Sequence, residues 1–477
     1  MSVTRKLILI LIGAVAVNLL ASSVSIAQES IPMGTWRLHI SYNSVHSIAV
    51  GNGKVYGASR NGIMVLDMAD KSMQTYSKLN GLAGADISVL NYDEATEQLI
   101  IAYADGNVDV IKDNVIKNFN GLKNSETLTG SRRINHISVR QGLAYLSTDY
   151  GVAVFDLLRE EIKETWRDLG TDGSTLKINQ STFKGDSIFL ATGQGVIAGN
   201  LNGNLLDYSK WRRYQDNGMD TVINAIAFFN DKVYAAISNK GIYSYENGTR
   251  FMEDFLLDVP VQNLYAYDGG LLVAQGTKVW MLDNASALTE VTSHLITWPQ
   301  VIIADEAGNI WIGDAKNGMV TSAAEGFISY MPDGPAVTDA FRLKYTGNTL
   351  YAMPGGYSPV AEPLGNPGSI HAFTSSWTSG ATSLQDITDI ELLNGKIFVS
   401  SFGQGLQQGD PAAPEKIFDA SNSNLNNIQS GSDAVNITSL ESSPDGLWVS
   451  NYGAEPSLHL IDRNGIMESF SFGFAAA

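Results

Sequence analysis

Ser47-Ile48-Ala49-Val50, Lys54-Val55-Tyr56-Gly57-Ala58-Ser59, Gly62-Ile63-Met64-Val65-Leu66-Asp67 and Met73-Gln74-Thr75-Tyr76 form one phrase that the chain repeats. It consists of an apolar strand, a turn, a second strand, a small-residue break with Gly, a third strand ending near Asp, and a fourth short stretch. Further copies centre on residues 99–103, 143–148, 188–192, 233–238, 271–274, 310–313, 350–353, 397–401 and 447–450. The break glycines Gly62, Gly106, Gly151, Gly195 and Gly241 follow one another at steps of 44, 45, 44 and 46 residues. Four short strands at a period of about 40–45 residues are the mark of β-propeller blades. A single twisted sheet of this kind cannot cover both its apolar faces, so neighbours must stack. A long β-sandwich array is the plainer alternative, but nothing in that architecture would hold one period through successive equal steps.

Composition narrows the function classes. The 477 residues carry 31 Lys+Arg against 49 Asp+Glu, a formal charge of −18, which opposes the counterion displacement that nucleic-acid binding requires. Cysteine is absent, so disulfides, Cys–zinc sites, iron–sulfur clusters and thiol catalysis are excluded. At the N-terminus, Arg5-Lys6 precedes the apolar run Leu7 to Val17 and a small-residue stretch ending Ser25-Ile26-Ala27. This pattern predicts a signal peptide over residues 1–27, cut after Ala27. Asn18 and Ser22-Ser23 interrupt the run before the roughly 20 apolar residues a membrane span needs. The expectation is an exported, acidic protein without a transmembrane segment.

Ten repeats exceed the roughly 4–8 blades with which propellers close. The fold expected is therefore all-β: one seven-bladed β-propeller over 28–331, followed by an incomplete second propeller over 332–477. Ten of the 13 prolines lie at or beyond position 332, and Met331-Pro332-Asp333-Gly334-Pro335 marks the boundary. A Pro-rich insert, Pro354 to Gly380, falls in the second part and reads either as a partner-contacting loop or as a flexible one. Trp36 to Ser41 reads as an extra strand that completes a blade of one ring or the other. Three blades cannot close a ring and leave an unpaired edge. The chain is accordingly expected to be part of a longer protein.

Chemistry leaves few marks. The six histidines, His39, His46, His136, His294, His371 and His459, show no metal-ligand spacing, so no metal or cofactor is expected. Asp105-Gly106-Asn107 and Asp445-Gly446 read as hairpin turns. Asp216-Asn217-Gly218-Met219-Asp220 lacks the alternating ligands and terminal Glu of a calcium loop. One stretch stands out against the acidic background: Lys210-Trp211-Arg212-Arg213-Tyr214, with Arg132-Arg133 as a second basic spot. Cations interleaved with rings suit an anionic glycan, with Arg on phosphate and rings on sugar faces. The same stretch also fits a solvated sheet edge whose Trp packs between sheets.

Trp36-Arg37-Leu38-His39-Ile40-Ser41-Tyr42, Ser77-Lys78-Leu79-Asn80-Gly81-Leu82, Ala102 to Ile111, Ile134-Asn135-His136-Ile137 and Ala144 to Val152 together resemble the N-terminal β-propeller of the PorZ family of type IX secretion. Asp305 to Asp314 also looks like a blade of two-component-regulator propellers. The PorZ resemblance implies a non-enzymatic scaffold of the cell-surface attachment complex. It implies the PorU sortase, PorV and PorQ as partners, and delivery of anionic lipopolysaccharide to the sortase. It further implies passage through the periplasm to the outer-membrane surface, with a C-terminal secretion domain that this sequence lacks. The alternative is the extracytoplasmic ligand-sensing propeller of a two-component regulator.

Overall fold

The computed structural model describes residues 36–246, 250–324, 326–428 and 432–472. The predicted signal peptide, 1–27, lies outside them. Ten four-stranded antiparallel sheets follow one another, each built from contiguous chain with its strands in sequence order. They occupy residues 47–76, 87–119, 134–167, 178–214, 223–255, 263–291, 299–330, 342–381, 387–418 and 435–470. The ninth and tenth are joined by pairing of Phe402 with Asn436 and Gly403 with Val435.

Burial explains the order of strand chemistries. The second and third strands of a sheet, such as Lys54–Ser59 and Gly62–Asp67, are buried almost end to end because both faces are covered. Fourth strands, such as Met73–Tyr76, are polar and largely exposed, as suits an edge that must not recruit another chain. Tight turns use left-handed pairs, for instance Asn52 (φ 50°) with Gly53 (φ 67°). The break glycines have a steric cause. A Cβ on Gly151 (φ 136°) would lie 2.0 Å from the Trp166 carbonyl oxygen on the neighbouring fourth strand.

The cores lie between sheets rather than within them. Ile87, Leu99 and Ile101 of the second sheet meet Tyr56, Ala58 and Ile63 of the first. Equivalent layers join second to third, third to fourth, and so on to the seventh. The seventh packs in turn on the first: Ile303, Trp311 and Met319 bury against Ile48, Val55 and Met64, with Tyr42 and Val45. Backbone bonds Val45 N–H to Asp314 O (3.0 Å) and Gly318 N–H to Asn43 O (2.8 Å) stitch this contact. The eighth to tenth sheets share two further layers.

A second device fastens neighbouring sheets. In seven of the ten first strands the ladder skips one residue, and each skipped residue is polar: Ser88, Asn135, Asn179, Asn224, Gln300, Thr388 and Thr438. A bulge releases that residue from the pleat and re-aims its side chain. Asn135 donates to Ile178 O (3.0 Å), Asn179 to Ile223 O (2.8 Å), Asn224 to Val261 O (2.9 Å) and Thr388 to Ile437 O (2.6 Å). Each bond reaches the first strand of the following sheet, or the residue leading into it. His46 does the same through Nε2–H to Ile87 O (2.8 Å).

Two expectations change. Trp36 to Ser41 forms no strand. His39 instead sits edge-on to Phe373 (4.6 Å) and accepts a hydrogen bond at Nδ1 from Trp377 Nε1–H (2.9 Å), while Asn43 donates to Ala336 O (2.9 Å). The segment from 39 to 43 thus ties the eighth sheet and its lead-in to the first seven. The insert also proves shorter than expected, because Ser369–Phe373 and Trp377–Ala381 are strands. Within 354–368, Tyr357 packs between Phe402 (4.5 Å) and Phe341 (5.2 Å), and the Asp386 carboxylate accepts from Gly365 and Asn366 N–H, both at 2.8 Å.

Two outcomes are expected. Asn179→Ala leaves the Ile223 carbonyl without its donor and costs about 1–3 kcal/mol in chemical denaturation. Asp314 is buried, which by itself would raise its pKa, but Thr297 Oγ–H and four backbone N–H groups hold it below the ordinary carboxylate value. A lowered folded pKa gives stability that is present above the unfolded pKa and lost as pH falls through the folded one. Asp314→Asn therefore unfolds at lower denaturant near neutrality. Its midpoint also changes less than the wild type's between about pH 4 and 2.

Candidate binding surfaces

The basic stretch enters the fold at the outer edge of the fourth sheet. Asp207 caps a short turn, Tyr208–Lys210, and Arg212–Tyr214 is the fourth strand. Trp211 is buried at the contact with the third sheet, edge-on to Trp166 at 5.6 Å, with Nε1–H donating to Leu205 O (3.1 Å). Gly199 makes room for it, since a Cβ there would lie 3.0 Å from its ring. Tyr214 is buried on the other side, against Phe251 at 5.3 Å, and burial raises its pKa. Both rings thus serve the inter-sheet layers.

The cations divide. Arg213 donates to Leu169 O and Gly170 O, and burial lowers its pKa. Arg132 is likewise committed, donating to the carbonyls of Lys123, Ser125 (2.9 Å) and Leu128 (3.0 Å) and so holding the loop before the third sheet. Lys210 and Arg212 are exposed, with the Arg212 guanidinium 4.7 Å from the Tyr214 ring centre. Arg133 is half-buried beside the entry to the third sheet. The structure therefore presents Lys210 and Arg212 together and places Arg132 and Arg133 on a different sheet.

A cavity of about 300 Å³ lies among the first strands of the first seven sheets, six of which contribute to its wall except for the fifth. Gln180 lines it and bridges two sheets, donating to Leu264 O (3.2 Å) of the sixth and accepting from Ile226 N–H (3.2 Å) of the fifth. His136 lines it, with Nδ1 accepting from Ser181 N–H at 3.4 Å, and burial pushes the imidazole down to about 4. Where the strands end, Glu94 and Glu306 form an exposed lip beside Tyr92. A Cβ on Gly51 would fall 1.9 Å from the Tyr92 ring, so that glycine admits the ring to its place. Sequence reading missed this site. Its residues share only a position at the ends of first strands, which no local motif marks. Among the described residues no group of three or more His, Cys, Asp or Glu side chains is placed to hold a metal.

Ten meandering four-stranded sheets whose cores lie between neighbours define a β-propeller protein. Residues 39–212 match the family model of the type IX secretion PorZ N-terminal β-propeller domain, which bears out the resemblance read from the sequence. PorZ of Porphyromonas gingivalis, described as an essential bacterial surface component of the type IX secretion system, is similar in structure. The TM-score is 0.77 at 19% identity, covering 92% of this chain and 60% of that one. The chain thus spans three fifths of the PorZ structure's length. The extracellular domain of a putative hybrid two-component system from B. thetaiotaomicron aligns with a TM-score of 0.48 at 15% identity, over 91% of this chain and 66% of that one. No curated protein matches by sequence. No helix among the described residues is long and apolar enough to cross a membrane.

Trp211→Ala is expected to cost about 3–5 kcal/mol, as for large core truncations. Lys210→Ala and Arg212→Ala should each stay within about 0.5 kcal/mol of the parent. Denaturant titration followed by tryptophan fluorescence and by circular dichroism checks both.

Proposed function

We propose that the chain is a non-enzymatic binding component of a type IX secretion system, acting in the cell-surface attachment complex after export through the periplasm. The observation that carries this reading is the match of residues 39–212 to the PorZ N-terminal propeller, with one fold shared across most of the chain. In this reading the first seven sheets, within 28–331, form one closed ring. The shared core of the first and seventh sheets supports that closure. The sheets within 332–477 are the first three blades of a second propeller, continued in a longer protein.

The partners are a PorU-type sortase with PorV and PorQ, and the ligand is anionic lipopolysaccharide handed to the sortase. Exposed Lys210 and Arg212 are the cations that meet its phosphates, with Trp211, Arg213 and Tyr214 shaping that edge from beneath. Arg133, on the loop that Arg132 holds before the third sheet, is a second and separate basic spot for the same ligand. Ligand release by salt follows from such contacts.

The test is reciprocal pull-down of the chain from outer membranes of its own host, with binding to purified anionic lipopolysaccharide measured on the same preparation. PorU, PorV and PorQ homologues should co-purify, and Lys210→Glu with Arg212→Glu should weaken lipopolysaccharide binding at least tenfold without loss of fold. Recovery of a membrane-bound kinase in place of the sortase would assign the chain to two-component sensing.

A further inference from the structure

We propose that the end of the eighth to tenth sheets that carries the 354–368 insert is a docking face for a partner protein with an apolar centre and a rim of lysine and arginine. A row of rings crosses this end. Phe341 leads into the first strand of the eighth sheet, Tyr357 belongs to the insert, Phe402 lies near the end of the second strand of the ninth sheet, and Tyr452 ends that of the tenth. Their ring centres follow one another at 5.2, 4.5 and 6.0 Å. Phe402 is buried, but Phe341 and Tyr452 are exposed, and the insert beside them holds out Val360 (75% exposed) and Leu364 (51%). The patch is made of strand ends and loops, so a further sheet stacked on the tenth leaves it open.

The insert is ordered before any partner arrives. Ser358 N–H donates to Glu362 O (2.8 Å), Ala361 N–H to Ser358 O (2.9 Å) and Asn366 Nδ2–H to Pro354 O (3.2 Å), besides the two bonds to the Asp386 carboxylate. Gly356 (φ 107°) leaves the Phe341 ring its place, since a Cβ there would stand 2.3 Å from it. Apolar side chains held out on a fixed frame lose little freedom on binding. Charge then decides the partner. Residues 332–477 hold 5 Lys+Arg and 15 Asp+Glu, and 5 − 15 = −10. Arg342, Lys344 and Lys396 are paired with carboxylates, Arg463 lies in a turn at the opposite end, and Lys416 is on a fourth strand. The exposed Asp339, Glu362 and Glu455 flank the rings, and they make no ion pair among the described residues. Rings and aliphatic tips at the centre with acids around them match a surface of apolar anchors and cationic rim. The same acids repel an anionic glycan or lipid surface, so this end and the Lys210–Arg212 edge take partners of opposite sign.

The test is photo-cross-linking of the full chain, carrying p-benzoyl-phenylalanine in place of Val360, on the envelope fraction of its host. The same probe in place of Leu158, which is equally exposed, is the control. One protein should be captured from position 360 and not from 158, through a peptide that contains Lys or Arg. Titrated in purified form against the chain, that protein should lose about tenfold or more in affinity on Val360→Asp with Leu364→Asp. Glu362→Lys with Glu455→Lys should weaken it about fivefold and flatten its salt dependence, with circular dichroism showing the fold intact in both variants. Capture of a second copy of the chain or of lipopolysaccharide, equal capture from 158, no capture, or unchanged affinity in either variant overturns the proposal. The cross-link identifies the partner whatever system it serves, so failure here leaves the secretion reading standing.

Discussion

The structure depends on a hydrogen bond that a β-ladder must give up a residue to make. A polar side chain at the bulge of a first strand reaches the backbone of the next sheet, as Asn179 reaches Ile223 O at 2.8 Å. Apolar layers supply most of the attraction between sheets, but they are non-directional and tolerate sliding. The amide bond is directional and fixes how far one sheet is displaced along the next. Because it is made near the strand's start, every downstream residue inherits that register. The lining of the cavity, the bridge that Gln180 makes between two sheets, and the meeting of the seventh sheet with the first all follow from it.

Much of this architecture is legible in the sequence, because burial on both faces forces long apolar runs and three of the break glycines, Gly151, Gly195 and Gly241, share one steric cause. Gly151 faces Trp166 O on a fourth strand and Gly241 faces Leu256 O just past one, each at about 2 Å from where a Cβ would stand. The staples were less visible. Asn135, Asn179 and Asn224 recur at 44 and 45 residues, the beat of the glycines, yet a lone Asn inside an apolar strand also reads as an ordinary solvent-facing residue. Only the skipped register shows that it faces the neighbouring sheet.

Side-chain direction was the larger difficulty. Trp211 and Tyr214 alternate with cations in sequence, and alternation along a strand alone does not say which face is covered. Both faces of the fourth sheet are covered, so both rings are inside and only Lys210 and Arg212 stand out of the core. Trp36 to Ser41 shows the reverse case. Its apolar and aromatic residues look like a strand, yet His39 and Asn43 spend their polar atoms on the eighth sheet and its lead-in. The acidic lip of the cavity could not be read at all, because Glu94 and Glu306 lie more than two hundred positions apart.

Each sheet is made from one uninterrupted stretch of chain, and the seam between the first and seventh sheets has an apolar layer and an amide bond like those that follow the third, fourth and fifth sheets: Gln300 donates to Ser44 Oγ at 2.9 Å and Val45 O at 3.4 Å. Among the described residues no strand is exchanged across that seam. The genetic order of the sheets is then a convention rather than a mechanical requirement. A duplication or loss of one whole repeat preserves every kind of contact, whereas a change of half a repeat destroys two apolar layers at once. Such a fold drifts in loops and lengthens in whole units, which is how a propeller can acquire new surfaces without risking its interior.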